Sequence, residues 1–297
     1  MASEQLKMVV EMLRAAPPLP DEASVDEMRA GMEELTAAAP LAEDVRYEAV
    51  DAGGVPAEWA IADNAGEDRV ILYLHGGGYV VGSVRTHRGI VGSISRAAAA
   101  KVLSVDYRLA PEHPHPAAVE DAVAAYRFLL GMSVDPARIA IAGDSAGGGL
   151  AAATLIALRD LAEPLPAAGV LISPWLDLTQ SAESMTTRAD DDPMVSRDVL
   201  QRMADAYVAA GDAKAATASP LFADLAGLPP MLVHVGTAEV LMNDATRFDE
   251  RARAAGTDVR LGVWEDMVHV WHAFSLILPE AQQAIDEIGE YLGARWQ

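Results

Sequence analysis

Cysteine is absent from the 297 residues of this sequence, which excludes a disulfide framework and a thiolate nucleophile and would leave any zinc site to histidine and carboxylate alone. Basic residues are scarce. Twenty-two Lys and Arg stand against 44 Asp and Glu, a formal net charge of -22, and a surface field of that sign repels nucleic acid and anionic lipid. Also missing is any uninterrupted apolar run of roughly 18 residues, the length needed to span a bilayer. The opening stretch MASEQLKMVVEMLRAAPP has neither the basic region nor the long apolar region of a secretory signal. Together these absences predict a soluble cytoplasmic protein with no nucleic-acid or membrane partner. What the chain does have is apolar content, 51% of its residues, enough at this length for a sizeable core in one domain or one domain with an elaboration.

Residues 1–44 read as two helices. EQLKMVVEMLRAA places Leu6, Val9, Val10 and Leu13 at helical spacing, and SVDEMRAGMEEL opens on Ser24 with Asp26 and Glu27 in its first turn; prolines 17, 18 and 20 separate the two. Short apolar runs then alternate with helical stretches, the pattern of a sheet wrapped by helices. Strands are predicted at VRYEAV, AEWAIA, RVILYL, AKVLSVDY, RIAIAG, AGVLISP, MLVHVG and DVRLGVW, with helices near 87–99, 117–131, 146–162, 241–255 and 279–294. Runs such as VILYL are apolar throughout, as in strands covered on both faces, so the sheet is expected to be mostly parallel. Residues 179–226 break the rhythm with the polar TQSAESMTTRADDDPMVS and an amphipathic helix around 198–210. They read as an insertion over the sheet edge where open α/β sheets bind ligands.

The most informative stretch is RIAIAGDSAGGGLAAATLIAL, which sets Gly143-Asp144-Ser145-Ala146-Gly147 between a strand and an Ala-rich helix. A G-x-S-x-G in that context is a nucleophile elbow: the serine sits on a sharp turn, and the glycines remove the Cβ atoms that would collide there. The helix that follows points its positive end at developing negative charge. A plain Gly-rich turn is the bland alternative. Gly147-x-Gly149-x-x-Ala152 also fits a dinucleotide fingerprint, but these glycines lie inside the helix, and LAEPLP, a loop, stands where the acidic partner should be.

A serine hydroxyl needs a base, and the base a carboxylate to orient it. Of seven histidines, His113 and His115 lie in a proline-held loop, while His75 and His234 sit in or at the ends of strands as structural groups. His269 and His272 follow the last strand; His269 is nearer that strand and is the predicted base, with His272 starting the next helix. Glu239 falls in the loop after MLVHVG and is the predicted acid. Asp244, about a turn into the next helix and facing away, remains an alternative, and Asp266 reads as a loop cap. The order serine, acid, histidine is that of the α/β-hydrolase architecture. HGGGYVVGS, directly after a strand, can bring backbone N–H groups to a substrate oxyanion, with a tight glycine turn as the plain alternative. HVWH lacks a third metal ligand at sensible spacing, Asp190 to Asp192 read as a solvated charge run, and no phosphate-binding P-loop is present. No cofactor or metal is expected.

From about residue 45 onward, HGGGYVVGS, VDYRLAPEHPHPAAVEDA, GDSAGG, SPWLDLT, DPMVS and the His269 loop occur in the order of the corresponding blocks of the bacterial hormone-sensitive-lipase family of α/β-hydrolase esterases, which this chain resembles. The resemblance implies an α/β-hydrolase fold with a mostly parallel central sheet flanked by helices, a triad of Ser145, Glu239 and His269, and an oxyanion hole from the N–H groups of Gly77, Gly78 and Ala146. It implies that residues 1–44 and the 179–226 insertion form a helical cap over a core of residues 45–178 and 227–297. Asp106 and Arg108, around YRLAPE, would be structural support. Where many members carry Asp-Pro-Leu and His-Gly-Phe, this chain has Glu239-Val240-Leu241 and His269-Val270-Trp271; the longer acid keeps Asp244 in contention. The expected activity is that of a serine carboxylesterase on small-molecule short- to medium-chain esters. The alternatives are an amidase or peptidase on the same fold, or a noncatalytic ligand-binding relative. Members of the family often pair, so a homodimer is compatible with the resemblance, though no stretch identifies an interface.

Overall fold

The computed structural model describes residues 3–15, 23–37 and 40–296; prolines 17, 18 and 20 lie outside the described residues. Eight strands form one sheet. They are β1 (Val45–Asp51), β2 (Pro56–Ala62), β3 (Gly66–Leu74), β4 (Ala100–Val105), β5 (Ile139–Asp144), β6 (Ala168–Ile172), β7 (Met231–Gly236) and β8 (Val259–Trp264), in the order β1-β2-β4-β3-β5-β6-β7-β8. β2 runs antiparallel to β1 and β4, and the remaining pairs are parallel. The strands from β4 to β8 therefore all end at one edge, where the loops that follow them converge.

The unbroken apolar runs have a direct explanation in the layers. Alternate residues of β3 face opposite ways: Leu72 and Leu74 pack with Ala122 and Leu129 of α4 (Ala117–Gly131) and Leu150 of α5 (Ala146–Asp160). Ile71 and Tyr73 pack on the other side with Ile90 and Ile94 of α3 (Arg88–Ala98) and Ile288 of α9 (Pro279–Arg295). Both faces are dry, and each fully buried Leu or Ile contributes about 1.5–3 kcal/mol.

The N-terminal helices α1 (Glu4–Ala15) and α2 (Val25–Ala37) follow their patterns. Leu6 of α1 is buried against Val268, Trp271 and Leu278. α2 opens with a capping box, Ser24 N–H donating to the Glu27 carboxylate (2.8 Å) and Glu27 N–H to Ser24 Oγ (3.3 Å). Within 179–226 lie the short α6 (Ser184–Thr187) and the amphipathic α7 (Arg197–Val208), which buries Leu200, Ala204 and Tyr207. α8 (Met242–Ala254) follows β7. The expectation of a solvated run at Asp190 to Asp192 is corrected at its last member. Asp192 is buried, one oxygen accepting from Met194 and Val195 N–H (both 2.9 Å) and the other from Val240 N–H (3.0 Å). Among the described residues no helix is long and apolar enough to cross a membrane.

Candidate active site

At the end of β5 the chain reverses through Ser145, whose backbone lies at φ 54°, ψ -122°, a region that costs a residue with a side chain about 1–3 kcal/mol. The flanking glycines make the turn fit. A Cβ on Gly143 would strike the Gly147 carbonyl, and one on Gly147 the Leu74 carbonyl. The β6 exit holds the strained turn: Ser145 N–H donates to the Ile172 carbonyl (2.8 Å), and Trp175 N–H donates to the Ser145 carbonyl (2.9 Å). α5 starts at Ala146, so the orphan N–H groups of its first turn lie beside Ser145.

His269 Nε2 lies 2.9 Å from Ser145 Oγ, and His269 Nδ1 lies 2.9 Å from Glu239 Oε2. The carboxylate keeps a proton on Nδ1, which leaves the Nε2 lone pair facing the serine hydroxyl. Glu239 is fully buried and its other oxygen accepts from Ser173 Oγ (2.7 Å) and Gly236 N–H (2.7 Å). Burial by itself would lower the His269 pKa. The hydrogen bond and charge of Glu239 prevail, with the negative charges of Asp192 and Asp144 adding to them, and the pKa stands above the ordinary histidine value.

The competing residues are placed elsewhere. Asp244 is buried with one oxygen accepting the N–H groups of Leu176 (2.9 Å) and Asp177 (3.0 Å). Burial, with the Asp177 charge, pushes its pKa up to about 7 against the pull of those two hydrogen bonds. Asp266 is exposed, its N–H donating to Thr237 Oγ1 (2.9 Å). His272 occupies a separate 3-10 turn, Trp271–Phe274, rather than the start of the following helix, and its Nε2 lies 3.1 Å from His234 Nδ1. Burial and that second imidazole hold its pKa well below the usual range. Among the described residues no group of three metal-ligating side chains occurs.

The loop after β3 holds the glycines. Gly77 (φ 112°) and Gly78 (φ 60°) are both left-handed, and a Cβ would meet the Val81 carbonyl at the first and Met203 of α7 at the second. The Gly77 carbonyl accepts from Val80 (3.0 Å) and Val81 (2.9 Å), closing a tight turn. Neither the Gly77 nor the Gly78 N–H donates to an acceptor among the described residues, and Ala146, first in its helix, has no intrahelical acceptor. His75 is buried and stacked on Tyr107 (ring centroids 4.3 Å apart), its pKa brought down to about 3 by burial and then by His87. YRLAPE acts through Tyr107 Oη, which donates to the His75 carbonyl (2.7 Å), and Arg108, which donates to Asp121 (2.9 Å).

Sequence reasoning missed a second carboxylate–imidazole unit under this loop. Asp144, buried, accepts from Tyr73 Oη (2.7 Å) and Gly76 N–H (3.1 Å) on one oxygen and faces His87 Nε2 at 3.4 Å with the other. Burial alone would raise the Asp144 pKa and lower that of His87; their mutual attraction overrides it and shifts both the opposite way. The signal available was the position of Asp144 inside the elbow, next to Ser145. Ser173, the first residue of SPWLDLT, carries no sequence mark of its contact with Glu239.

A family profile described as the alpha/beta hydrolase fold matches residues 71–273. An acetyl-hydrolase of Streptomyces hygroscopicus is 48% identical over 243 residues, covering 82% of this chain and 81% of the relative. Among solved structures, an esterase from the bacterial hormone-sensitive lipase family is 51% identical with a TM-score of 0.96, covering 100% of both chains. EstE5, in a crystal soaked with p-nitrophenyl butyrate, is 48% identical with a TM-score of 0.96, covering 99% of each chain.

Proposed function

The chain belongs to the bacterial hormone-sensitive-lipase family of α/β-hydrolase esterases, and from that premise we propose that it hydrolyses short-chain carboxylic esters through an acyl-enzyme on Ser145. The observation that carries this reading is the imidazole of His269, 2.9 Å from Ser145 Oγ on one side and 2.9 Å from Glu239 on the other. His269 Nε2 takes the hydroxyl proton as Oγ attacks the ester carbonyl; the imidazolium, held by Glu239, then gives that proton to the departing alcohol. Water attacks the acyl group by the same base, and Ser145 is regenerated. The carbonyl oxygen, negative in both tetrahedral intermediates, takes the unpartnered N–H groups of Gly77, Gly78 and Ala146, and a donor of this kind contributes about 2.7–4 kcal/mol to the transition state.

Helices α1, α2 and α7 form the cap in this reading. Arg29 of α2 donates to the Val80 carbonyl (2.9 Å) and Met203 of α7 lies against Gly78, so both helices bear on the glycine loop. That closeness supports short acyl chains. The decisive comparison is Ser145→Ala against the parent on a p-nitrophenyl ester series, with fluorophosphonate labelling in parallel. The parent should label and favour a C4 over a C12 ester, and the variant should lose labelling and at least about 10³-fold in kcat. Retention of most activity by Ser145→Ala would remove the nucleophile from this scheme, faster C12 turnover would overturn the chain-length reading, and preferential cleavage of matched amides would make the protein an amidase.

A further inference from the structure

We infer that the turn leaving β6 is the assembly point of the triad and that Ser173 is a positioning residue, its hydroxyl holding Glu239 in register with His269; this rests on the proposed roles of Ser145, Glu239 and His269. Three separate loops carry those residues, and one short segment touches all three. The Ile172 carbonyl accepts Ser145 N–H (2.8 Å) and Trp175 N–H donates to the Ser145 carbonyl (2.9 Å), which fixes the nucleophile's backbone. Between them, Ser173 Oγ donates to Glu239 Oε1 (2.7 Å) and accepts Val270 N–H (3.1 Å), the amide directly after the base. One fully buried hydroxyl therefore joins the acid's side chain to the base's backbone.

The backbone around it is shaped for this bridge. Ser173 lies at φ 45° and Val270 at φ 48°, left-handed conformations that strain residues with side chains. Glycine would be more comfortable at residue 173, and the chain places a hydroxyl there instead. Ser173 N–H in turn donates to the His234 carbonyl on β7 (2.7 Å), so the turn is tied to the strand that ends in the acid's loop. The arrangement also suits a glutamate. Oε1 is occupied by Ser173 and Gly236 N–H, while Oε2 is left for His269. Without the hydroxyl, that carboxylate keeps one of its two Oε1 donors, and Val270 N–H, buried with its neighbours, loses its acceptor.

Ser173→Gly separates positioning from folding, because glycine accepts the left-handed backbone while removing the hydroxyl. The variant is expected to keep the parent's melting temperature within a few degrees and to lose roughly tenfold to a hundredfold in kcat on p-nitrophenyl butyrate, with KM changed by less than about threefold. Introduced into a Glu239→Ala background, the same substitution should cost several-fold less than it does in the parent, since the carboxylate it positions is gone and only its contact with Val270 N–H is left to lose. Equal losses in both backgrounds, or no loss in the parent, would overturn the inference. Should Glu239→Ala alone leave activity intact, the triad reading itself would fall, an outcome distinct from additivity of the two changes. Ser173→Ala is the second variant if Ser173→Gly does not fold; it should show the same coupling with Glu239.

Discussion

Asp144 and Glu239 stand on either side of Ser145, both buried, and each receives one hydroxyl, one glycine N–H and one imidazole. For Asp144 these are Tyr73, Gly76 and His87; for Glu239 they are Ser173, Gly236 and His269. The two units differ in what the far nitrogen of the imidazole sees. His269 turns Nε2 toward Ser145 Oγ at 2.9 Å, whereas His87 turns Nδ1 toward Thr86 Oγ1 at 2.8 Å and the Ser83 carbonyl at 3.3 Å, in its own loop. A carboxylate–imidazole pair is thus no more a base than a brace until its outer nitrogen is given a proton to move. In the β7–β8 half the pair faces the Ser145 hydroxyl; in the β3–β5 half it fastens the glycine loop to the elbow.

The largest effect that tests this difference is expected at Glu239. Glu239→Gln keeps the shape but removes the charge that stabilises imidazolium, and kcat should fall by roughly 10³–10⁴-fold with KM little changed. The pH dependence should move as well. In the parent, His269 as the proposed base has to be neutral to act, and its raised pKa should put the acid limb of kcat/KM above the ordinary value of 6.5. With the glutamate's charge gone, burial dominates and the limb should shift to lower pH. A limb that stays in place while kcat falls would show that the titration belongs to another group. By contrast Asp144→Asn should cost about tenfold or less in kcat, because an amide oxygen still accepts from Tyr73 and Gly76 and only the charge opposite His87 is lost. Its acid limb should change much less than that of Glu239→Gln. If the asparagine variant proved as damaging as the glutamine one, the division between base and brace would be wrong.

How far this division was readable in the sequence depends on what each part required. The strands were legible because β3, β5, β6 and β7 are covered on both faces and so carry unbroken apolar runs, and the elbow because Gly143 and Gly147 leave no room for a Cβ. That the loops of His269 and Glu239 meet at Ser145 could be anticipated because the parallel strands deliver them to one edge. The supporting groups had no such local mark. Ser173 reaches Glu239, 66 residues away, and Asp192 reaches Val240, 48 residues away. Asp192 shares a triplet with two exposed aspartates, and a composition of that kind says solvent. In the folded chain one Asp192 oxygen is taken by the local N–H groups of Met194 and Val195 and the other by the distant Val240 N–H, which only the fold supplies. The same applies to His87, which opens α3 with nothing nearby to announce a partner in the elbow.

The smallest effect on activity is expected at Asp244, five positions beyond Glu239 and equally buried. It has no imidazole: one oxygen takes the N–H groups of Leu176 and Asp177, and the other has no partner among the described residues. Its folded pKa of about 7 against an ordinary 3.8 means that the folded chain holds a proton which the unfolded chain releases. That contribution to stability is fully present below pH 3.8 and is lost as pH rises through 7. Asparagine keeps the acceptor and cannot ionise. Asp244→Asn should therefore retain kcat within about twofold, while its stability relative to the parent improves by on the order of a few kcal/mol between pH 4 and pH 8. Urea titrations of both proteins across that range measure the difference directly. A flat difference would show that Asp244 is ionised in the folded protein throughout, and a collapse of kcat would return it to the place here given to Glu239.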